Sequence, residues 1–169
     1  MIPGERTILA AVVGAALALG ATGVASATQD QQAAPAGGEI CRSMGGLGNY
    51  NYAEDGRSGV AAMAGAFRGG VYFRQIGEFR DVGDGRFEGE FEHMFVTEDG
   101  STIHTRDQSW GVAVPGTDYI VGGAAYTVVK ATGQFEGYTG TFHSWGTFAP
   151  TKGQAILRYE GQICRPSAS

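Results

Sequence analysis

Residues 86–110 read RFEGEFEHMFVTEDGSTIHTRDQSW. Two runs of alternating side chains flank Asp99-Gly100. Alternation with a period of two is the mark of a β-strand with two unlike faces. Asp-Gly between such runs is a strong hairpin signal. A two-residue loop pairs Glu98 with Ser101, Phe95 with His104, His93 with Arg106 and Phe91 with Gln108. A four-residue loop keeps these pairs; only an odd loop shifts them. On that register one face of the hairpin carries Phe87, Gly89, Phe91, His93, Phe95, His104, Arg106, Gln108 and Trp110. The other carries Glu88, Glu90, Glu92, Met94, Ile103, Thr105, Asp107 and Ser109. The second face is acidic and is expected outside. The first mixes aromatic rings with polar groups and is expected inside. Buried polar groups without partners cost about 1–3 kcal/mol each. Such an interior is therefore either a lumen that admits a polar ligand or a closed network of mutually satisfied groups. Phe91, His93, Phe95, His104, Arg106, Gln108 and Trp110 are the candidate lumen residues.

The same pattern extends along the chain. No window of a dozen residues keeps apolar positions at helical spacing without a glycine interrupting it. The 29 glycines suit short strands with frequent turns. Turn signals fall at Glu54-Asp55-Gly56, Asp84-Gly85, Asp99-Gly100, Pro115-Gly116 and Lys152-Gly153. Between them lie candidate strands at 39–44, 49–53, 60–67, 71–79, 86–97, 101–114, 119–130, 139–148 and 154–164. Eight or nine short strands in one small domain predict an all-β antiparallel barrel or sandwich. Closure is the better reading, since a long open edge invites aggregation.

The first residues read differently. Residues 8–21 are apolar or small, and the run ends in Ala25-Ser26-Ala27, the layout of a signal peptide over 1–27. The alternative is a membrane anchor, but the run is barely long enough to span a bilayer. Cleavage leaves no integral membrane segment. Residues 28–38 read as a flexible leader, 39–165 as the barrel domain and 166–169 as a short tail. The protein is thus expected to be exported, to a periplasm or the extracellular space. Cys41 and Cys164 are then expected to form a disulfide, as cysteine pairs do in oxidising compartments.

The formal net charge is −5. An acidic chain with scattered Lys and Arg lacks the cationic footprint of a nucleic-acid binder and the polybasic patch of a peripheral membrane protein. His93, His104 and His143 show no HxH, HExxH or CxxC context, so no metal site and no cofactor is expected. There is no nucleophile elbow and no phosphate-binding loop. Glu88 and Glu90 read as a solvated strand face rather than a glycosidase pair.

The stretch AYTVVKATGQFEGYTG at 125–140 resembles the strand–turn–strand signature of the allene oxide cyclase and dirigent superfamily. Its turn here is Lys130-Ala131-Thr132-Gly133, where the family pattern is Gly-Gly-Thr-Gly-like. The final strand after a Lys-Gly turn and the placement of the long hairpin are also similar. The resemblance implies an eight-stranded, calycin-like barrel whose lumen holds a small, largely apolar or amphipathic molecule. It also implies that some relatives guide cyclisation or coupling by shape. No position here matches the cyclase's catalytic carboxylate. Three readings follow: a small-molecule-binding barrel, a cyclase-like or dirigent-like enzyme in which His93, His104 or Arg106 moves a proton, and a partner-binding barrel without a ligand.

Overall fold

The structure, a computed structural model, describes residues 38–167. The expected signal peptide (1–27) and all of the expected leader except Gly38 lie outside the described residues, as do Ala168 and Ser169. Nine strands follow one another: β1 (Glu39–Tyr52), β2 (Ser58–Gly65), β3 (Gly69–Gln75), β4 (Arg80–Gly83), β5 (Arg86–Thr97), β6 (Thr102–Ala113), β7 (Ile120–Ala131), β8 (Thr139–Ala149) and β9 (Gln154–Pro166). Short 3-10 turns at Gly133–Phe135 and Pro150–Lys152 lie between β7 and β8 and between β8 and β9. All pairings are antiparallel, in the order β3-β2-β1-β9-β8-β7-β6-β5, and β3 pairs β5 to close the ring. The result is a closed eight-stranded barrel with one extra strand. That strand, β4, pairs with Arg86, Phe87 and Glu88 of β5, below the stretch 91–97 that β3 occupies. Among the described residues no helix is long and apolar enough to cross a membrane.

Several boundaries differ from expectation. The segments 39–44 and 49–53 are one continuous strand, β1. The intervening Gly45-Gly46 reads as a break in sequence, but in the barrel it permits close approach. A Cβ at Gly46 would sit 1.9 Å from the Ala64 carbonyl oxygen and 2.6 Å from the Tyr159 hydroxyl. The expected strand 71–79 stops at Gln75, and β4 is new. β4 is four residues long and exposed throughout, so it carries no alternation to read.

Cys41 and Cys164 face each other across β1 and β9 and are bonded. The bond ties the first strand to the last across a sequence separation of 123.

The two ends of the barrel differ. At the end bearing the disulfide, Phe67 from the β2–β3 connection and Phe135 from the first 3-10 turn pack inward. Their ring centroids are 5.4 Å apart, and Phe67 stacks on Phe95 at 5.1 Å. Phe142, Ile103 and Ile163 complete a fully buried plug. The Tyr159 hydroxyl accepts from the Phe67 N–H and donates to the Ala64 carbonyl, both at 3.0 Å, and so pins the connection that delivers Phe67.

The β5–β6 hairpin corrects the expected register. Its loop has three residues, 98–100. The Thr97 N–H donates to the Ser101 carbonyl (3.0 Å) and the Gly100 N–H to the Thr97 carbonyl (2.9 Å). Gly100 is left-handed at φ 82°, whereas Asp99 is not among the positive-φ residues. A two-residue type I′ turn needs positive φ at both. A tight turn followed by a left-handed glycine is instead the three-residue hairpin. The register is therefore Phe95↔Ile103, His93↔Thr105, Phe91↔Asp107 and Glu92↔Arg106. A one-residue slip turns every side chain of one strand to the other face. β5 keeps its expected face inward, while on β6 it is Ile103, Thr105 and Asp107 that are buried.

The Asp99 carboxylate holds this loop. It accepts from the Thr97 hydroxyl, the Ser101 N–H and hydroxyl, and the Gln134 side-chain amide. Arg42 donates to the Gln134 carbonyl oxygen at 2.9 Å and extends the tie to β1. These hydrogen bonds, the Thr97 hydroxyl first, hold the Asp99 carboxyl at about 2, below its ordinary 3.8. A depressed carboxyl stabilises the fold above its unfolded value, and the contribution fades as pH falls through the folded value. Urea midpoints of wild type should therefore drop between about pH 4 and pH 2 more steeply than those of Asp99→Asn. Parallel curves for the two proteins would rule out this role.

Candidate functional site

The end of the barrel opposite the plug is open. A cavity of about 560 Å³ enters there. Its walls are aromatic and apolar: Tyr52, Phe73, Phe79, Phe87, Phe91, Phe148, Ile120 and Leu157. Alternation on eight strands produces this lining, since each strand sends every second side chain inward. The rim is built from the β1–β2, β3–β4 and β8–β9 connections, which contribute Glu54, Gly56, Phe79, Pro150 and Gly153. Phe79 stacks on Phe87 at 5.9 Å and meets Phe91 edge-on at 6.2 Å.

The polar residues lie deeper. His93 lines the cavity at 6% exposure. Its ring lies near-parallel to those of Phe73 (5.4 Å, 23°) and Phe95 (5.7 Å, 19°), and meets Tyr126 edge-on at 5.0 Å. Nδ1 lies 2.5 Å from Oδ2 of Asp107, which is 2% exposed. Asp107 stands diagonally to His93 across β5 and β6 and directly opposite Tyr126 on β7. A carboxylate can only accept, so the Nδ1–H donates to it and Nε2 carries the lone pair in the neutral ring. No hydrogen bond among the described residues engages Nε2.

Two tyrosines flank the pair. Tyr126 shares a 2.9 Å hydrogen bond with the Ser144 hydroxyl. Burial pushes the Tyr126 hydroxyl up to about 12. Burial, then Tyr126 and then Asp107, raise Tyr50 well above its usual value. Both phenols are therefore neutral and able to donate at physiological pH. Asp107 Oδ1 and Thr105 Oγ1 are buried without a hydrogen-bond partner. Each orphan of this kind costs about 1–3 kcal/mol. A barrel assembled for stability alone would hold aliphatic side chains at these positions.

Of the candidate lumen residues, Phe91 and His93 line the cavity and Phe95 is buried beneath them. His104, Arg106 and Gln108 do not join them, and Trp110 does so only at the mouth. The three-residue hairpin turns all four to the outer face of β6. Arg106 and Gln108 are exposed there, His104 is half-buried, and Trp110 borders the rim at 46% exposure. His104 and Arg106 share a second depression with Tyr72, Glu92 and Val129, which His93, Met94 and Thr105 also border. His143 is exposed on β8. The residues missing from the sequence-derived site are Asp107, placed there on the acidic outer face, and the tyrosines Tyr50 and Tyr126. Glu39, Cys41 and Cys164 form the one grouping of possible metal ligands among the described residues, and both of its sulfurs are consumed by the disulfide.

No family model, curated protein or solved structure matches the chain.

Proposed function

We propose that this protein is an exported barrel that takes one small, largely apolar, ring-containing molecule into its lumen. The observation that carries the reading is the aromatic cavity of about 560 Å³, open at one end and floored by His93, Tyr50 and Tyr126. Sites for small molecules are concave, mostly apolar and supplied with a few convergent polar groups, typically at about 300–1,000 Å³. Aromatic walls favour planar rings, and the floor selects for a ligand with one polar end. Export is supported by the Ala25-Ser26-Ala27 site and by a disulfide suited to an oxidising compartment. We extend the proposal to the allene oxide cyclase and dirigent superfamily, on the strength of the 125–140 signature and the closed eight-stranded topology. Shaping of a substrate for cyclisation, as some members of that superfamily perform, is the enzymatic form of the same reading.

The neutral fluorophore N-phenyl-1-naphthylamine tests it. Its emission should rise saturably at one molecule per chain. Ser109 lines the cavity from β6, and Ser109→Trp should fill part of it and weaken binding at least about tenfold. Binding that is unsaturable, or untouched by this substitution, would count against a luminal site.

A further inference from the structure

We propose that His93 is a catalytic base, positioned by Asp107, that removes a proton from a carbon next to a carbonyl in a small ring-containing molecule and returns it at another atom. The proposal rests on the luminal binding site described above and gives it a reaction class: cofactor-free isomerisation or ring closure.

Three observations carry it. First, His93 is rigidly placed. Phe73 and Phe95 lie near-parallel to its ring at 5.4 and 5.7 Å, and Asp107 holds its Nδ1 at 2.5 Å. This fixes the tautomer with the lone pair on Nε2, and Asp107 stabilises the imidazolium formed when Nε2 takes a proton. Second, the ring reaches a largely apolar cavity, where a base is freed from competing water and acts on whatever the walls hold. Third, the Tyr50 hydroxyl, kept protonated by burial, lines the same cavity and can donate to an oxygen on which charge develops. The second phenol, Tyr126, is engaged with Ser144 and supports the floor.

The steps balance without an oxidant or cofactor. The C–H bond next to the carbonyl breaks and its proton moves to Nε2. The electron pair passes through carbon to the carbonyl oxygen, giving an enolate that accepts a hydrogen bond from Tyr50. Where a C=C bond of the substrate is conjugated with it, this anion is a dienolate and takes the proton back from Nε2 at its far carbon, shifting the double bond; otherwise the enolate attacks an electrophilic carbon of the same molecule to close a ring. In the second case Nε2 protonates the group displaced by that attack.

The reaction of 5-nitrobenzisoxazole reads this chemistry directly. A base removes its C3 proton, the N–O bond breaks, and a coloured cyanonitrophenolate forms. The wild-type protein, full chain with its disulfide intact, should convert the probe about 10²–10⁴-fold faster than buffer. Probe deuterated at C3 should react with a primary isotope effect. His93→Gln should abolish the enhancement. Asp107→Asn should lower kcat at least about hundredfold, by freeing the ring to take the wrong tautomer, with the dissociation constant of the probe unchanged. Retained probe binding by each variant shows that its barrel is formed. His143→Ala and His104→Ala, both away from the lumen, should leave turnover at the wild-type rate. Binding without turnover by the wild type would overturn the base assignment and leave the luminal site standing. Turnover that survives His93→Gln would also overturn it. Absence of saturable luminal binding of both probes would overturn the two proposals together.

Discussion

The Cys41→Ser variant is expected to lose about 4–5 kcal/mol of unfolding free energy. The bond closes a loop of sequence separation 123, nearly the whole described domain. Such a cross-link removes much of the configurational freedom of the unfolded chain, and the effect grows with the logarithm of loop length. The position adds a second effect. Cys41 and Cys164 sit opposite each other on β1 and β9, the strands that bring the two ends of the domain together. Without the bond, the outermost part of this pairing, from Glu39↔Pro166 to Cys41↔Cys164, is free to fray. Domains of this size have total stabilities of about 5–15 kcal/mol, so the loss is a large fraction of the whole. Urea unfolding of Cys41→Ser beside oxidised wild type measures it, with reduced wild type expected to match the variant. A difference below about 1 kcal/mol would show that the unfolded chain gains little from release of the constraint.

His93→Phe carries the second large effect. The substitution preserves the stacking against Phe73 and Phe95 but removes the one hydrogen-bonding partner of Asp107. A carboxylate that is 2% exposed then has neither oxygen satisfied. Leaving a buried carboxylate uncompensated costs about 3–5 kcal/mol. Asp107→Leu should cost less, about 1–3 kcal/mol, because it strands only a neutral ring nitrogen. The double variant His93→Phe/Asp107→Leu should recover most of the loss, since replacing both partners of a buried hydrogen bond by well-packed apolar groups is often nearly neutral. Chemical denaturation of the four proteins forms a double-mutant cycle. Additive losses, with the double variant the least stable, would show that the two side chains are not coupled.

The barrel itself was legible because its signals are local. Alternation along β5 and along 139–148, and turn residues at 54–56, 84–85, 99–100 and 152–153, point to strands and hairpins before any tertiary contact is known. The pairing of Cys41 with Cys164 followed from there being two cysteines and a reading of the compartment. The site was half legible. Phe91, His93 and Phe95 alternate on one strand, and β5 presents them inward as expected. What failed was the register across Asp99-Gly100. Loop parity is decided by backbone angles at Asp99 and Gly100 and by the Asp99 carboxylate's contacts with Thr97, Ser101 and Gln134. The Gln134 contact comes from 35 residues away in sequence and cannot be read locally. One signal did point the right way. Ile103, an aliphatic β-branched residue, shares a face with Thr105 and Asp107 and is fully buried. The two-residue-loop register overrode it and put Trp110 on the inward face, although Trp110 is nearly half exposed. Gly46 misled for a related reason. A glycine that admits a neighbouring backbone looks in sequence like one that ends a strand.

His93, Tyr50 and Tyr126 floor the open lumen, Asp107 stands behind His93, and His104 and Arg106 lie on the outer face. Chemical-shift mapping of the isotope-labelled protein during titration with N-phenyl-1-naphthylamine tests this arrangement most directly. Signals of Tyr50, Phe91, His93 and Tyr126 should move together along one binding curve, while those of His104, Arg106 and His143 stay fixed. Movement of the His104 and Arg106 signals with His93 unmoved would contradict the account.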